Sequence, residues 1–238
     1  MTKGLFLYFA FASIVAAQSF DVVSVRLNTT GAGRSSERSN SGHVMAENIT
    51  PSSMIQQAFG VRTSQIAGAP GWIETDKYDL NATTGATKDL NDVELQPYWK
   101  SLLATRFRMK YHSETKEMQI YSLTVAKGGQ KLTENTAGGD TSTHITNNAQ
   151  HSSLTSTHIS MPNFAGLLAR RMDRTVVDKT GLTGAYDVKL EWLPDLSQDT
   201  GSASIFTALQ DQLGLKLESE KGPVEVIVID SLEKPTEN

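Results

Sequence analysis

The stretch Val176–Trp192, V-V-D-K-T-G-L-T-G-A-Y-D-V-K-L-E-W, constrains the fold more than any other. Two β-type runs flank a turn-rich centre, Asp178–Gly184. Gly181 and Gly184 read as residues that supply backbone angles a β-carbon resists. Asp178 and Thr180 can close the turn with local side-chain bonds. Tyr186 is expected to pack beneath it, with Asp187 alongside. A helical pattern precedes the stretch and another follows it. The same arrangement recurs upstream around Tyr78-Asp79, with Ile49-Thr-Pro51 echoed by Ile159-Ser160 and Pro162. The reading is an α+β fold of two related halves, each with helices packed on antiparallel strands as αββ units. The alternative is two unrelated αββ units that each cover one sheet face.

Taken in order, Phe20–Leu27 alternates and reads as a strand, and Gly42–Ile49 as another. Thr50 is placed as an N-cap, Pro51 as the first helical residue and Gly60 as the left-handed stop. Trp72 and Ile73 are expected to be buried, and Tyr78–Thr83 to be a strand. A second helix covers about Leu95–Thr105, with Pro97 in its first turn. Arg106–His112 alternates, with Phe107, Met109 and Tyr111 inward and Arg106, Arg108, Lys110 and His112 outward. A turn at Glu114–Glu117 and a strand Met118–Ala126 would complete a hairpin. Thr136–Thr157 is low in complexity and reads as a linker or long loop. A helix opens at Ser160, another at Ser202 or Ser204 and stops at Gly214. Leu215–Glu218 and Val224–Ile229 would form a hairpin across Lys221-Gly222-Pro223. The expected boundaries are 1–17 for a signal peptide, 18–135 for the N-terminal half, 136–157 for a flexible linker and 158–238 for the C-terminal half.

The first 17 residues carry the signal-peptide features: Lys3, an apolar core over Gly4–Val15, and small residues Val15 and Ala17 before Gln18. The competing reading is a membrane anchor, but a span needs roughly 20 apolar residues. The expected location is therefore the periplasm or beyond, with no stable membrane anchor after cleavage. A formal net charge of −4 makes nucleic acid a poor partner. The absence of cysteine removes thiol chemistry and Cys-ligated metals.

No motif names a reaction. There is no Gly-x-Ser-x-Gly elbow and no His-Glu-x-x-His helix. His144, His151 and His158 recur every seven residues, but the segment is a poor helix former, so a polar linker is preferred to a metal site. The glycines of the central turn match neither phosphate-binding spacing. No cofactor or metal is indicated. Asn28, Asn48 and Asn81 head Asn-x-Thr sequons, which matter only in a host with an endoplasmic reticulum. Arg106, Arg108, Lys110 and His112 are the one concentrated basic face. It reads either as a solvated sheet face, with nearby Glu114 and Glu117 as partners, or as a docking face for an envelope protein or anionic polymer.

Several stretches carry a family resemblance: Phe20–Arg26, Ile49-Thr-Pro51, Gly68–Trp72, Tyr78-Asp79, Leu102–Phe107 with His112, Val177–Asp187, Ala208–Leu215, Val228–Asp230 and Pro235–Asn238. As a set they resemble the uncharacterised bacterial soil-associated protein family, an exported domain of unknown function. The resemblance brings no catalytic residues. Related domains occur on membrane metallopeptidases similar to antibiotic sensors, which implies an extracytoplasmic sensing or binding role. The αββ units also resemble, in architecture alone, small N-terminal domains of secretins and outer-membrane receptors. The first functional reading is a non-catalytic binding or interaction module; the second is an envelope hydrolase or peptidase-like enzyme.

Export is checked by the intact mass of the protein from its native host. The expected mature N-terminus is Gln18; a chain that still begins at Met1 in the membrane fraction would make the segment an anchor.

Overall fold

The computed structural model describes residues 18–30, 35–148, 151–193 and 204–235. The signal-peptide segment lies outside the described residues. The fold is α+β. Its contacts divide it into two compact units. The first combines the described residues up to Glu114 with those from Val226 onward, and the second is Thr115–Glu225.

The first unit opens with β1 (Val22–Leu27), β2 (Ser36–Asn40) and β3 (His43–Ile49). α1 (Pro51–Phe59) follows, capped by the Thr50 hydroxyl, which accepts from Ser53 N–H, and ended by Gly60 at φ 65°. β4 (Ile66–Ala67), the single-turn α2 (Trp72–Thr75) and β5 (Tyr78–Thr83) lead to α3 (Asp92–Arg106). The antiparallel sheet order is β1-β5-β3-β2. Met54, Ile55 and Ala58 of α1 and Trp99, Leu102 and Leu103 of α3 bury against Val44, Ala46, Leu80 and Ala82. These are the i, i+3, i+4 stripes of the helices meeting the alternate residues of the strands.

The chain continues as β6 (Lys110–Val125), β7 (Thr133–Glu134), β8 (Ser142–Asn147) and β9 (Ser152–Ser160). α4 (Met161–Ala169), β10 (Val176–Asp178) and β11 (Ala185–Trp192) come next. α5 (Ile205–Ala208) runs on through a π-helical turn to Leu213, and β12 (Leu215–Ser231) ends the fold. The second unit's antiparallel sheet has the order β7-β11-β9-β8. Phe164, Ala165 and Leu168 of α4, with Ala208, Leu209 and Leu213, cover Leu154, Val188 and Leu190. Each unit also holds one short parallel pairing: β4 with β12 at Ile227 and Val228, and β10 with β6 at Tyr121–Leu123.

Four elements differ from the sequence reading. α3 starts at Asp92, not near Leu95, because Asn91 and Glu94 form a capping box, and Pro97 lies inside it. The hairpin expected around Glu114–Glu117 is one continuous strand, β6; that segment has no Gly, Pro or Asn to turn on. The hairpin expected at Lys221-Gly222-Pro223 is likewise continuous, in β12. There Gly222 replaces a β-carbon that would stand 2.6 Å from Ile120 Cδ1. Pro223 lies outside the β4 pairing, so its missing N–H breaks no bond to that strand. The Thr/Ser/Asn stretch read as a linker contains β8 and most of β9. Its inward positions are filled by Ile145, Leu154 and Ser156, whose hydroxyl bonds the exposed Thr143 hydroxyl, and threonine favours strands.

One device occurs in both units. The β3–β5 register shifts between Ala46 and Ile49, so two residues oppose Asp79. One of them, Asn48, sits at φ 54° and donates its N–H to Asp79 Oδ1 at 3.0 Å. The Asn28 amide donates to both Asp79 oxygens, at 2.9 and 3.0 Å. In the second unit the register shifts between Tyr186 and Val188. His158, at φ 53°, donates its N–H to Asp187 Oδ1 at 3.0 Å, and the Asn135 amide donates to the same oxygen at 2.8 Å. Both asparagines also close a turn, accepting from Thr30 N–H and Ala137 N–H.

Two sets of substitutions test these assignments by thermal or denaturant melts. Asp79→Ala strands the Asn48 N–H and the Asn28 amide and should cost about 1–3 kcal/mol. Asn81→Ala, exposed on the same strand, should stay within about 0.5 kcal/mol. Equal melting of the two would remove the carboxylate's role. Gly181→Ala, at φ 71° in open space, should cost about 1 kcal/mol. Gly214→Ala should cost more, since its β-carbon would also fall on the carbonyl oxygen of Gly129.

Candidate functional site

The residues that sequence placed on one basic face stand at the junction of α3 and β6. The helix ends at Arg106 because the Phe107 and Met109 N–H groups both bond back to the Leu103 carbonyl, at 3.2 and 3.0 Å. Arg108 between them adopts φ 48°, a left-handed cap made without glycine. That reversal buries Phe107 fully and leaves Met109 6% exposed. Strand geometry begins only at Lys110.

The face is therefore not a single strand face of four cations. Arg106 is helical, and its Nη2 donates to the Val23 carbonyl at 3.0 Å. Arg108 is 75% exposed, with Nε 3.6 Å from Glu233 Oε2. Lys110 and His112 share one side of β6 by alternation, and both are exposed. Tyr111 is 42% exposed and not buried as expected; its ring meets Phe59 edge-on at 4.6 Å between centroids.

Carboxylates stand among these groups. His112 Nδ1 lies 2.9 Å from Asp230 Oδ1 and Nε2 lies 3.3 Å from Glu114 Oε1. Hydrogen bonds to Glu114 and then Asp230 raise the His112 pKa above the ordinary 6.5, against a smaller opposing desolvation. Sequence reading placed Glu114 near the face as a partner and missed Asp230 and Glu233. Asp230 is 118 residues from His112, and no local pattern announces so distant a pairing.

The central turn has the side-chain bonds its residues allow. Asp178 Oδ1 accepts from Thr180 N–H at 2.9 Å and from the Thr180 hydroxyl at 2.7 Å. Thr180 Oγ1 accepts from Leu182 N–H at 3.2 Å. Gly181 is left-handed, but Gly184 is not. What Gly184 supplies is space, since a β-carbon there would lie 2.7 Å from Glu134 Oε1 and 3.1 Å from the Tyr186 hydroxyl. Tyr186 is buried, and Asp187 serves the bulge; its bonds from Asn135 and His158 hold its carboxyl below the usual range.

Other chemistry-bearing residues do not converge. His144 lies on β8, His151 just before β9 and His158 at the bulge. Among the described residues no group of three or more His, Asp or Glu could hold a metal ion. Ser-x-x-Lys spacing occurs as Ser113–Lys116 and Ser231–Lys234. On β6, residues three apart point to opposite faces, so the first pair cannot act as it would on a helix. Lys234 Nζ is held by Asp76 Oδ2 at 2.6 Å and lies over the Trp72 ring. That ion pair lines a shallow depression of about 410 Å³ with Leu27, Asn28, Thr75 and Lys77. Two of the sequon asparagines are engaged in the fold, Asn28 on Asp79 and Asn48 at 6% exposure. Among the described residues no helix is long and apolar enough to cross a membrane.

Neither the curated proteins nor the solved structures offer a match to this chain. A family model described as "Protein of unknown function (DUF3738)" matches residues 52–232, from the first turn of α1 to just past β12. The chain belongs to the DUF3738 family, a family of unknown function.

Proposed function

We propose that this protein is a non-catalytic, extracytoplasmic binding or interaction module that contacts an acidic partner through the start of β6. Export is part of the proposal and rests on the signal-like N-terminus and on the resemblance to exported soil-associated proteins. The observation that carries the binding reading is local. Arg108 and Lys110 are exposed where β6 begins, Tyr111 is exposed on the other side of the strand against Phe59, and Phe107 and Met109 are buried and anchor the backbone. Exposed arginine and tyrosine on one short segment are residue types that interfaces favour. A rigid anchor lowers the ordering cost of binding.

The partner class follows from charge. Glu233, Asp230 and Glu114 offset part of the positive charge here, so attraction should be modest, short in range and screened by salt. The class is an acidic envelope protein or an anionic polymer. Its binding is measured for the wild type and for Arg108→Ser/Lys110→Ser, with polyphosphate and proteins of the envelope fraction as probes, at low and high salt. Arg106 is left in place because it also holds the β1 backbone. Wild-type binding should weaken as salt rises, and the variant should bind several-fold less at low salt while melting within about 0.5 kcal/mol of the wild type. Equal, salt-insensitive binding by both proteins would eliminate this surface.

A further inference from the structure

We propose that His112 is a pH-operated latch that ties the start of β6 to the end of β12. β6 and β12 are hydrogen-bonded neighbours, and His112 and Asp230 meet across them. Both imidazole nitrogens lie within hydrogen-bond distance of a carboxylate oxygen, Nδ1 at 2.9 Å from Asp230 and Nε2 at 3.3 Å from Glu114. A neutral imidazole has one N–H and one lone pair; only the imidazolium has two donors. A neutral ring in this place would set a lone pair against a carboxylate. The geometry therefore belongs to the charged ring, and loss of its proton forces the ring to abandon Asp230 or Glu114.

The charges that face the ring come from both strands: Glu114 and Lys110 on the same side of β6, and Asp230 on β12. Arg108 and Glu233 form the next ion pair toward the helix. Lys116 stands on the same side of β6 beyond Glu114, but both groups in hydrogen-bond contact with the ring are carboxylates, so the balance favours the imidazolium, and the raised pKa of His112 agrees in direction. A group whose folded pKa lies above its unfolded value stabilises the fold most below the unfolded value. That contribution fades as pH rises through the folded value. The latch is thus closed on the acid side of 6.5 and opens as pH climbs past its own midpoint. Being half-exposed, it acts on the local opening of these strand ends and not on global folding. The segment it governs carries Lys110 and Tyr111. Acidification therefore both firms that segment and adds a positive charge to it.

The test uses the full chain. The His112 ring is titrated by NMR, its signal identified by its loss in His112→Gln. The expected midpoint lies above 6.5 and falls in Asp230→Asn and in Glu114→Gln. Hydrogen exchange at pH 5.5 and 8.5, corrected for intrinsic rates, reads the latch itself. Amides of β6 near His112 and of β12 near Asp230 should be about two- to fivefold more protected at the lower pH. The difference should vanish in His112→Gln and in Asp230→Asn, while amides in β11 do not change. A midpoint at or below 6.5, or a pH-dependent protection that persists in His112→Gln, overturns the proposal. Both readouts are independent of any binding partner, so they stand or fall apart from the proposed function.

Discussion

Each unit depends on a carboxylate that holds a left-handed residue where a strand gives way to a helix. Asp79 does this for Asn48, and Asp187 for His158. Two residues oppose one at each bulge, which leaves an N–H without a ladder partner. An unpaired N–H that is shut away from water is costly, so the oxygen that accepts it sets the bend. The bend lies just before α1 and α4, whose apolar stripes are buried against their sheets. The asparagine just past the edge strand completes the device by fixing the carboxylate's orientation, through Asn28 in one unit and Asn135 in the other.

The two units share more than this device. Their antiparallel sheets have parallel strand orders, β1-β5-β3-β2 and β7-β11-β9-β8. In both, a strand runs through the bulge into a helix, then a short parallel strand, a long antiparallel strand and a second helix. The Tyr-Asp pair is the clearest trace of this in sequence, because the tyrosine packs inward and the aspartate answers the bulge. His158 stands where Asn48 stands in the first unit. Asparagine and histidine are both among the residue types enriched at left-handed angles, so either can fill the position.

The surface at the start of β6, proposed as a docking face, combines two properties. Its backbone is pinned by Phe107 and Met109, and its outward side chains are cationic or aromatic. The carboxylates of Asp230, Glu114 and Glu233 temper that charge and make it responsive to pH through His112. The docking face proposed here would select by charge without being strongly basic, which fits a chain of net charge −4.

The sequence alone determined what depends on neighbours a few residues apart. Thr50 and Gly60 bound α1, Gly214 ends the helical run before β12, and Asp178 with Thr180 closes the central turn, all through contacts within five residues. The helical stripes were legible for the same reason, since a helix puts i, i+3 and i+4 on one face. Tertiary structure alone decided what depends on distant partners. Glu114–Glu117 is exposed and charged and looks like a turn, yet it belongs to a long strand because β12 pairs beside it. The Thr-rich segment looks like a linker, yet β11 supplies an edge on which β9 and then β8 can form. His112 has one carboxylate partner two residues away and another 118 residues away, so the nearer could be named from sequence and the farther could not. Local bonds are written in local spacing; strand pairing and the charges it brings together are set only when the chain has folded back on itself.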